Sequence, residues 1–230
     1  KQPSHSESGM CLVFNGMIYN YLELKNELTR HYIFQSKSDT EVLLASMDVW
    51  GIKCLPKLNG MFAFCAFDQE SESATFARDR FGQKPLFYAF KNGRLFFASE
   101  IKALLAAGFE GRSNQKAWLE YLSKGTSDND RETFFENIFQ LGLSEVLTFK
   151  FGSAPKISQY YKLSSSTIDK TISQDAAADQ LYHLLADVVN IHMRSDVPVG
   201  ISLSGGFDSS ALLALLNDLG HLSKSIKCLA

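Results

Sequence analysis

The sequence predicts an α+β domain built on antiparallel strands, followed by the opening of an α/β domain with a parallel sheet. Three observations carry this. Met61–Asp68, Ala74–Arg80, Pro85–Phe90 and Arg94–Ser99 are short stretches, Phe- and Ala-rich at the outset and set close together; closely spaced strands joined by short turns make antiparallel sheets. Lys91-Asn92-Gly93 joins the last two, and Asn and Gly both tolerate the positive φ of a tight hairpin. From Asp175 onward the pattern becomes long helix, apolar strand, glycine-containing loop and helix, the order that opens a parallel sheet.

Met10–Phe14 reads as a short buried strand closed by Asn15-Gly16, a strong turn dipeptide. Tyr21–Arg30 reads as a helix, with Leu24 and Leu28 on one face. Ser38-Asp39-Thr40-Glu41 matches a capping box, and Thr40–Trp50 follows as a helix with Leu43, Met47 and Trp50 as its core stripe. Met61–Asp68 is apolar on both faces and is predicted to be covered on both sides, with Gln69–Ser73 as the loop to the next strand. Ile101–Ala107 and Trp118–Ser123 read as helices, Gly125–Arg131 as a polar loop, and Val146–Lys150 and Lys156–Leu163 as strands. Ser164–Ser173 is a polar linker, where the domain boundary is placed: 1–163 forms the first domain and its connector, 174–230 the start of the second. Asp175–Met193 is a long amphipathic helix with Leu181, Leu184, Leu185, Val188 and His192 as the inward stripe. Val197–Leu203 is a strand, Ser209–Leu219 a helix, and Ser225–Ala230 a strand just begun. A chain that starts in a loop and stops in a strand reads as a piece of something longer.

Composition limits the function classes. The chain has 230 residues, 45% hydrophobic and 21% charged, with a net charge of −2. That balance gives no electrostatic footing for nucleic acid or anionic membrane. No apolar run approaches a membrane span and no signal-peptide pattern opens the sequence. Cys11, Cys54, Cys65 and Cys228 are scattered, and three lie in apolar stretches. They read as buried thiols of a reducing compartment, so a cytoplasmic protein without disulfides or structural zinc is expected. The five histidines have no metal-pair spacing.

The sharpest chemical signal is Ser204-Gly205-Gly206-Phe207-Asp208-Ser209-Ser210, between strand and helix. Two glycines let the backbone approach a ligand closely, and the helix that follows presents unpaired N–H groups and the positive end of its dipole. Ser204, Ser209 and Ser210 add hydroxyls. Asp208 suits phosphate accompanied by Mg²⁺. The Gly-Lys-Ser/Thr of a Walker A loop is missing. The competing reading is a plain strand-to-helix turn capped by Ser or Asp. The full string resembles the pyrophosphate loop of the ATP pyrophosphatase superfamily, with its pattern Ser-Gly-Gly-x-Asp-Ser-Ser.

With Arg194-Ser195-Asp196-Val197-Pro198-Val199-Gly200 just before the loop, the sequence resembles the glutamine-hydrolysing asparagine synthase family. Further family-like strings follow in order: Phe14–Asn20, Ser38–Val42, Leu58–Phe64, Arg78–Leu86 and Ala98–Lys102. The resemblance implies an N-terminal class II glutamine amidotransferase domain, two antiparallel sheets between helical layers (αββα), that releases ammonia. It implies a second domain that converts aspartate and ATP to β-aspartyl-adenylate, which ammonia attacks to give asparagine, AMP and pyrophosphate. Asn15 and Gly16 match the family's oxyanion hole, and Asp39 the carboxylate that binds the α-amino group of glutamine; a simple turn and a favourable first-turn acid are the competing readings. Leu203 would sit against adenine, with Ser204, Gly205, Gly206, Asp208, Ser209 and Ser210 on the phosphates and Asp208 reaching Mg²⁺ through pyrophosphate. Arg78, Asp79 and Lys84 read as structural. The implied partners are glutamine, aspartate and ATP, with neither nucleic acid nor membrane, and a homodimer is an open option.

Two departures stand out. The family's Asn-Gly-Glu is Asn15-Gly16-Met17 here, and a thioether accepts no hydrogen bond from an ammonium. The class II nucleophile is an N-terminal cysteine whose own amine serves as base, whereas the sequence opens on Lys1. Either residues precede Lys1 or the glutaminase is lost, and the chain alone is expected to be inactive. Leu141-Gly142-Leu143 also replaces a Pro-Gly turn. The alternatives are a relative that uses another acid, as β-lactam synthetases do, or a non-catalytic amidotransferase-like module.

Overall fold

The computed structural model describes residues 2–125, 131–163, 168, 170–222 and 226–229. The chain divides into two compact units, Lys1–Leu163 and Ser164–Ala230.

The first unit opens with β1 (Ser4–His5) and β2 (Met10–Ile18), then α1 (Tyr21–Leu28), α2 (Asp39–Trp50) and a 3-10 helix (Gly51–Lys57). Four strands follow: β3 (Gly60–Asp68), β4 (Ser73–Arg78), β5 (Phe87–Lys91) and β6 (Arg94–Ala98). The unit continues with α3 (Ile101–Ala106), α4 (Gln115–Lys124), β7 (Phe139–Gln140), β8 (Glu145–Lys150) and β9 (Lys156–Gln159). The strands form two antiparallel sheets, one of order β1-β2-β3-β4-β8-β9 and one of order β6-β5-β7. The four stretches read as antiparallel strands are divided between the two sheets: β3 and β4 lie in one, β5 and β6 in the other.

The switch between sheets is held by Asp79, which is 1% exposed. Its carboxylate accepts from the N–H groups of Phe62, Phe81, Gln83 and Lys84. Arg78 donates to the carbonyls of Gly82, Lys84 and Leu141. Main-chain groups that leave a ladder at this corner are satisfied by two buried side chains, as buried polar groups require. Asp79 and Arg78 are structural through these bonds, and Lys84 takes part through its main chain.

The layers follow from the alternation of side chains along β2 and β3. Leu12, Phe14 and Ile18 point with Phe62, Phe64 and Ala66 to one face, where Leu24, Leu28, Leu43 and Met47 of α1 and α2 cover them. Ala63 and Cys65 point the other way and meet Tyr88 of the second sheet and Leu86 just before it. Leu104 of α3 packs with Ala89 on that sheet's outer face. β3 is covered on both sides as predicted, and the order helix, sheet, sheet, helix is the sandwich the resemblance implies. The Lys91–Arg94 hairpin is also as predicted, with φ of 52° at Asn92 and 73° at Gly93.

In the second unit, α5 (Gln174–His192) leads to β10 (Gly200–Ser202), α6 (Phe207–Asp218) and β11 (Lys227–Leu229), and β10 and β11 pair in parallel. The predicted inward stripe of α5 is corrected. Leu181, Leu184, Leu185 and Val188 are 56%, 62%, 38% and 38% exposed, whereas Ala186 and Val189 are buried against Leu215 and Leu216 of α6. Part of the loop predicted at Gly125–Arg131 and part of the linker Ser164–Ser173 fall outside the described residues.

Candidate functional site

Asn15 and Gly16 do not make a turn. They continue β2 opposite Ala63 and Phe62, which corrects the reading of Met10–Phe14 as a strand ending there. An alanine at Gly16, where φ is +154°, would put its Cβ 2.1 Å from the Met61 carbonyl oxygen and 2.8 Å from the Phe62 Cα. The glycine is required by the close approach of β3, which overrides the turn preference of the dipeptide.

The hydrogen-bond pattern fixes where Gly16 points. Phe62 spends its N–H on the Asp79 carboxylate and its carbonyl on the Asp79 N–H, both on the β4 side of β3. Phe62 and Gly16 are therefore a non-hydrogen-bonded pair, and the main-chain groups of Gly16 face away from β3. The same alternation sends the groups of Phe14 and Ile18 to that outer edge. There, Phe14 is held at both groups by the Gln2 carboxamide, N–H to Oε1 at 2.9 Å and Nε2 to carbonyl at 2.6 Å. The Ile18 N–H donates to Asp39 Oδ2 at 3.0 Å. Gly16 lies between them on an edge that β1 pairs only at Cys11 and Leu12.

Asn15 projects toward the second sheet, and its Nδ2 donates to Ser99 Oγ at 3.2 Å, which leaves the second amide hydrogen available. A cavity of about 320 Å³ adjoins this contact, with Gln2, Asn15, Cys65, Phe97 and Ser99 among its walls. Met17 stands opposite Met61 on the same inter-sheet face, one step along from Asn15. The structure thus brings Asn15, Gly16 and Asp39 to one end of β2. Sequence reasoning missed Gln2 and Ser99. The signal for Gln2 is register, since Ser4 opposite Leu12 sets Gln2 opposite Phe14, and no motif announces it.

Asp39 is the first residue of α2, whose N-cap is Ser38, with Ser38 Oγ accepting from the Glu41 N–H. The capping box is half made. Glu41 turns instead to the N–H groups of Gln35 and Ser36 and to the Ser36 hydroxyl. Burial pushes the Glu41 carboxyl up, but these bonds and Lys25 outweigh it and leave the group below the ordinary glutamate range.

Neither core thiol is a nucleophile. Burial pushes Cys54 and Cys65 up to about 12, so both stay protonated at neutral pH. Cys11 is partly buried within β2, and Cys228 is exposed in β11.

In the second unit, Ser204–Gly206 follow β10, and Phe207–Ser210 begin α6. Gly205 is left-handed at φ +75° with open space where a Cβ would stand. The N-cap is Gly206 and brings no side-chain cap, unlike Ser38, Asn114 and Ser173 on α2, α4 and α5. The first N–H groups of α6 are thus uncovered by a capping side chain. Ser204 Oγ lies 3.3 Å from Ser209 Oγ and 3.4 Å from the Gly206 N, while Ser209 and Ser210 donate back to the Gly206 carbonyl. Asp208 is exposed in the first turn and Leu203 is half-buried. Among the described residues no cluster of three His, Cys, Asp or Glu forms a preformed metal site.

The first unit is thus an antiparallel sandwich with an outward main-chain N–H at Gly16, and the second carries a glycine loop between a parallel strand and a helix. Residues 1–161 match the family model described as glutamine amidotransferase domain, and the chain belongs to that family. Residues 180–229 match the model described as asparagine synthase. The chain is 34% identical over 216 residues to the glutamine-hydrolyzing asparagine synthetase 1 of Bacillus subtilis, covering 94% of this chain and 34% of that protein. It is 36% identical over 218 residues to asparagine synthetase 3 of the same organism, covering 94% and 35%. The chain therefore spans about a third of the length of these relatives. A solved structure described as the allosteric regulatory enzyme of purine biosynthesis aligns with a TM-score of 0.50 at 18% identity, over 98% of this chain and 45% of that one. At that identity the likeness shows the fold alone.

Proposed function

We propose that the complete protein is an ATP-dependent, amide-forming ligase of the asparagine synthase type. In this reading residues 1–163 form the glutamine-hydrolysing domain with its connector, and 174–230 open the synthetase domain. The observation that supports it best is the coexistence in one chain of the outward Gly16 N–H beside the Asn15 amide and of the uncapped Ser204–Ser210 loop.

In the amidotransferase half, negative charge develops on the amide oxygen of glutamine as the tetrahedral intermediate forms. The Gly16 N–H and Asn15 Nδ2 are the donors offered to it, and pre-set donors in a partly dry site are worth about 10²–10³ in rate each. Ser99 holds the Asn15 amide with its nitrogen toward the site. Asp39, fixed by the Ile18 N–H, presents a carboxylate to the α-ammonium of the donor. The resemblance assigns the attack to an N-terminal cysteine, a role that Cys54 and Cys65 are too buried to fill.

In the synthetase half, the N–H groups at the head of α6 and the hydroxyls of Ser204, Ser209 and Ser210 receive pyrophosphate, with Leu203 beside adenine. The serine hydroxyls must rotate off the Gly206 carbonyl to do so. Asp208, exposed in the first turn of α6, would help hold Mg²⁺ by way of the pyrophosphate. When bound, the ion would supply charge neutralisation for pyrophosphate. The setting is the cytoplasm, with aspartate as the acid and small molecules as partners.

Met17 facing Met61 favours a second reading, an amide-forming relative that takes free ammonia or another acid, because that wall offers a glutamine ammonium nothing polar. The deciding experiment is pyrophosphate release by the complete protein from ATP and aspartate, with glutamine or ammonium as nitrogen source. Release with either source is expected, and Asp208→Ala should lower it at least 100-fold. Release with a different acid and none with aspartate would overturn the asparagine assignment.

A further inference from the structure

We propose that Gln2 is a positioning residue of the amide-hydrolysing centre: its carboxamide makes the two bonds of a strand partner at Phe14 and steadies the Gly16 N–H in its outward orientation. This rests on the amidotransferase reading above.

β1 pairs with β2 only through Ser4 and His5, opposite Leu12 and Cys11. The next outward-facing residue of β2 is Phe14, and the residue in register with it is Gln2. At that place the main-chain ladder is replaced by a side chain. The Gln2 carboxamide accepts from the Phe14 N–H at 2.9 Å and donates to the Phe14 carbonyl at 2.6 Å, the two bonds a partner strand would make. A primary amide can accept and donate in this side-by-side way at any pH near neutrality.

The consequence falls on Gly16. Its N–H shares a peptide plane with the Asn15 carbonyl, and the two point in opposite directions. Asn15 and Ala63 are a hydrogen-bonded pair by the alternation already described, so the Asn15 carbonyl points to β3 and the Gly16 N–H to the open edge. Glycine imposes little torsional restraint of its own. The pairing with β3 sets the direction of that N–H, and its neighbours on the edge, Phe14 clamped by Gln2 and Ile18 clamped by Asp39, steady it there. Gln2 also lines the same cavity as Asn15 and Ser99, so the clamp is part of the wall of the site.

The test uses the complete protein and the variants Gln2→Ala and Gln2→Glu. Three quantities are measured: steady-state glutamine hydrolysis, pyrophosphate release with ammonium, and hydrogen exchange at Phe14 and Gly16. Gln2→Ala should lower kcat for glutamine about tenfold with KM changed less than about twofold, a smaller loss than removing an oxyanion donor outright. Phe14 should lose protection, and ammonium-supported release should stay at the wild-type rate, which also shows that the variant folds. Gln2→Glu supplies the readout that a merely structural role would not move. Its carboxylate can accept from the Phe14 N–H but opposes the Phe14 carbonyl, whereas the protonated acid can do both jobs. Its kcat relative to wild type should therefore rise as pH falls from 8 toward 5. Wild-type kcat in Gln2→Ala, or a pH-independent ratio in Gln2→Glu, overturns the proposal while leaving the amidotransferase reading in place. A complete wild-type protein that hydrolyses no glutamine overturns that reading and the proposal together.

Discussion

Gly16 shows how a single residue can carry two constraints. It must lack a Cβ because β3 passes too close, and it must leave its N–H free because the opposing residue, Phe62, is committed to Asp79. Gly16→Ala is expected to cost about 2–5 kcal/mol, combining overpacking with backbone strain at positive φ. Gly93→Ala is the matched control. It also sits at positive φ, 73°, but has open space around it, so the cost should stay near 1 kcal/mol. Urea denaturation of both variants checks this, and equal midpoints would show that close approach is not the reason for Gly16. The pair Asn15-Gly16 was legible as special in the sequence, but the physical reason was not. A dipeptide reports its own torsional tolerance, whereas the strand that forbids a side chain arrives from more than forty residues away. Gln2 was illegible for the same reason, since its role exists only once the register of β1 on β2 is known.

At the scale of the element, the head of α2 joins capping to site construction. Ser38 caps it, Asp39 reaches across to Ile18, and Glu41 ties down Gln35 and Ser36. Because the Glu41 carboxyl is held below its ordinary range, its contribution to order is full above the unfolded glutamate value and is lost as pH falls through the lower, folded one. An NMR titration of the Gln35 and Ser36 amides should therefore give a common midpoint below the ordinary glutamate pKa. Glu41→Gln should abolish the titration, and a midpoint at or above the ordinary value would refute the tie. The capping box was readable from four residues, but only its serine arm is made, because a nearby pair of main-chain donors competes for the glutamate. α5 is the opposite case. Periodicity identified the helix to within a residue at each end but selected the wrong stripe, since Leu181, Leu184, Leu185 and Val188 remain exposed and small Ala186 makes the contact with α6. A hydrophobic stripe shows that a face is apolar and does not specify which neighbour meets it.

Across the whole chain, the two units differ sharply in how much apolar surface they remove from water. The first has three packed interfaces, with Leu12, Phe64 and Leu43 in the helix-covered core, Cys65 and Tyr88 between the sheets, and Ala89 and Leu104 beyond them. Among the described residues of the second, the buried core is Ala186, Val189, Leu215 and Leu216. A small unit with so little burial is marginal, because conformational entropy scales with length while buried area falls away faster. The 230-residue chain should therefore unfold in two calorimetric transitions, the weaker belonging to Ser164–Ala230. Leu215 is 7% exposed, and its truncation in a core costs about 2–5 kcal/mol, comparable with all the stability such a unit can hold. Leu215→Ala should erase the lower transition and leave the upper midpoint within about 1 °C. Val146 provides the reverse test, being 2% exposed in the helix-covered core of the first unit. Val146→Ala should lower the upper midpoint by several degrees and leave the lower one in place. A single transition that shifts as one body in both variants would show instead that the units unfold cooperatively, and the division of the chain at Ser164 would then have no energetic meaning.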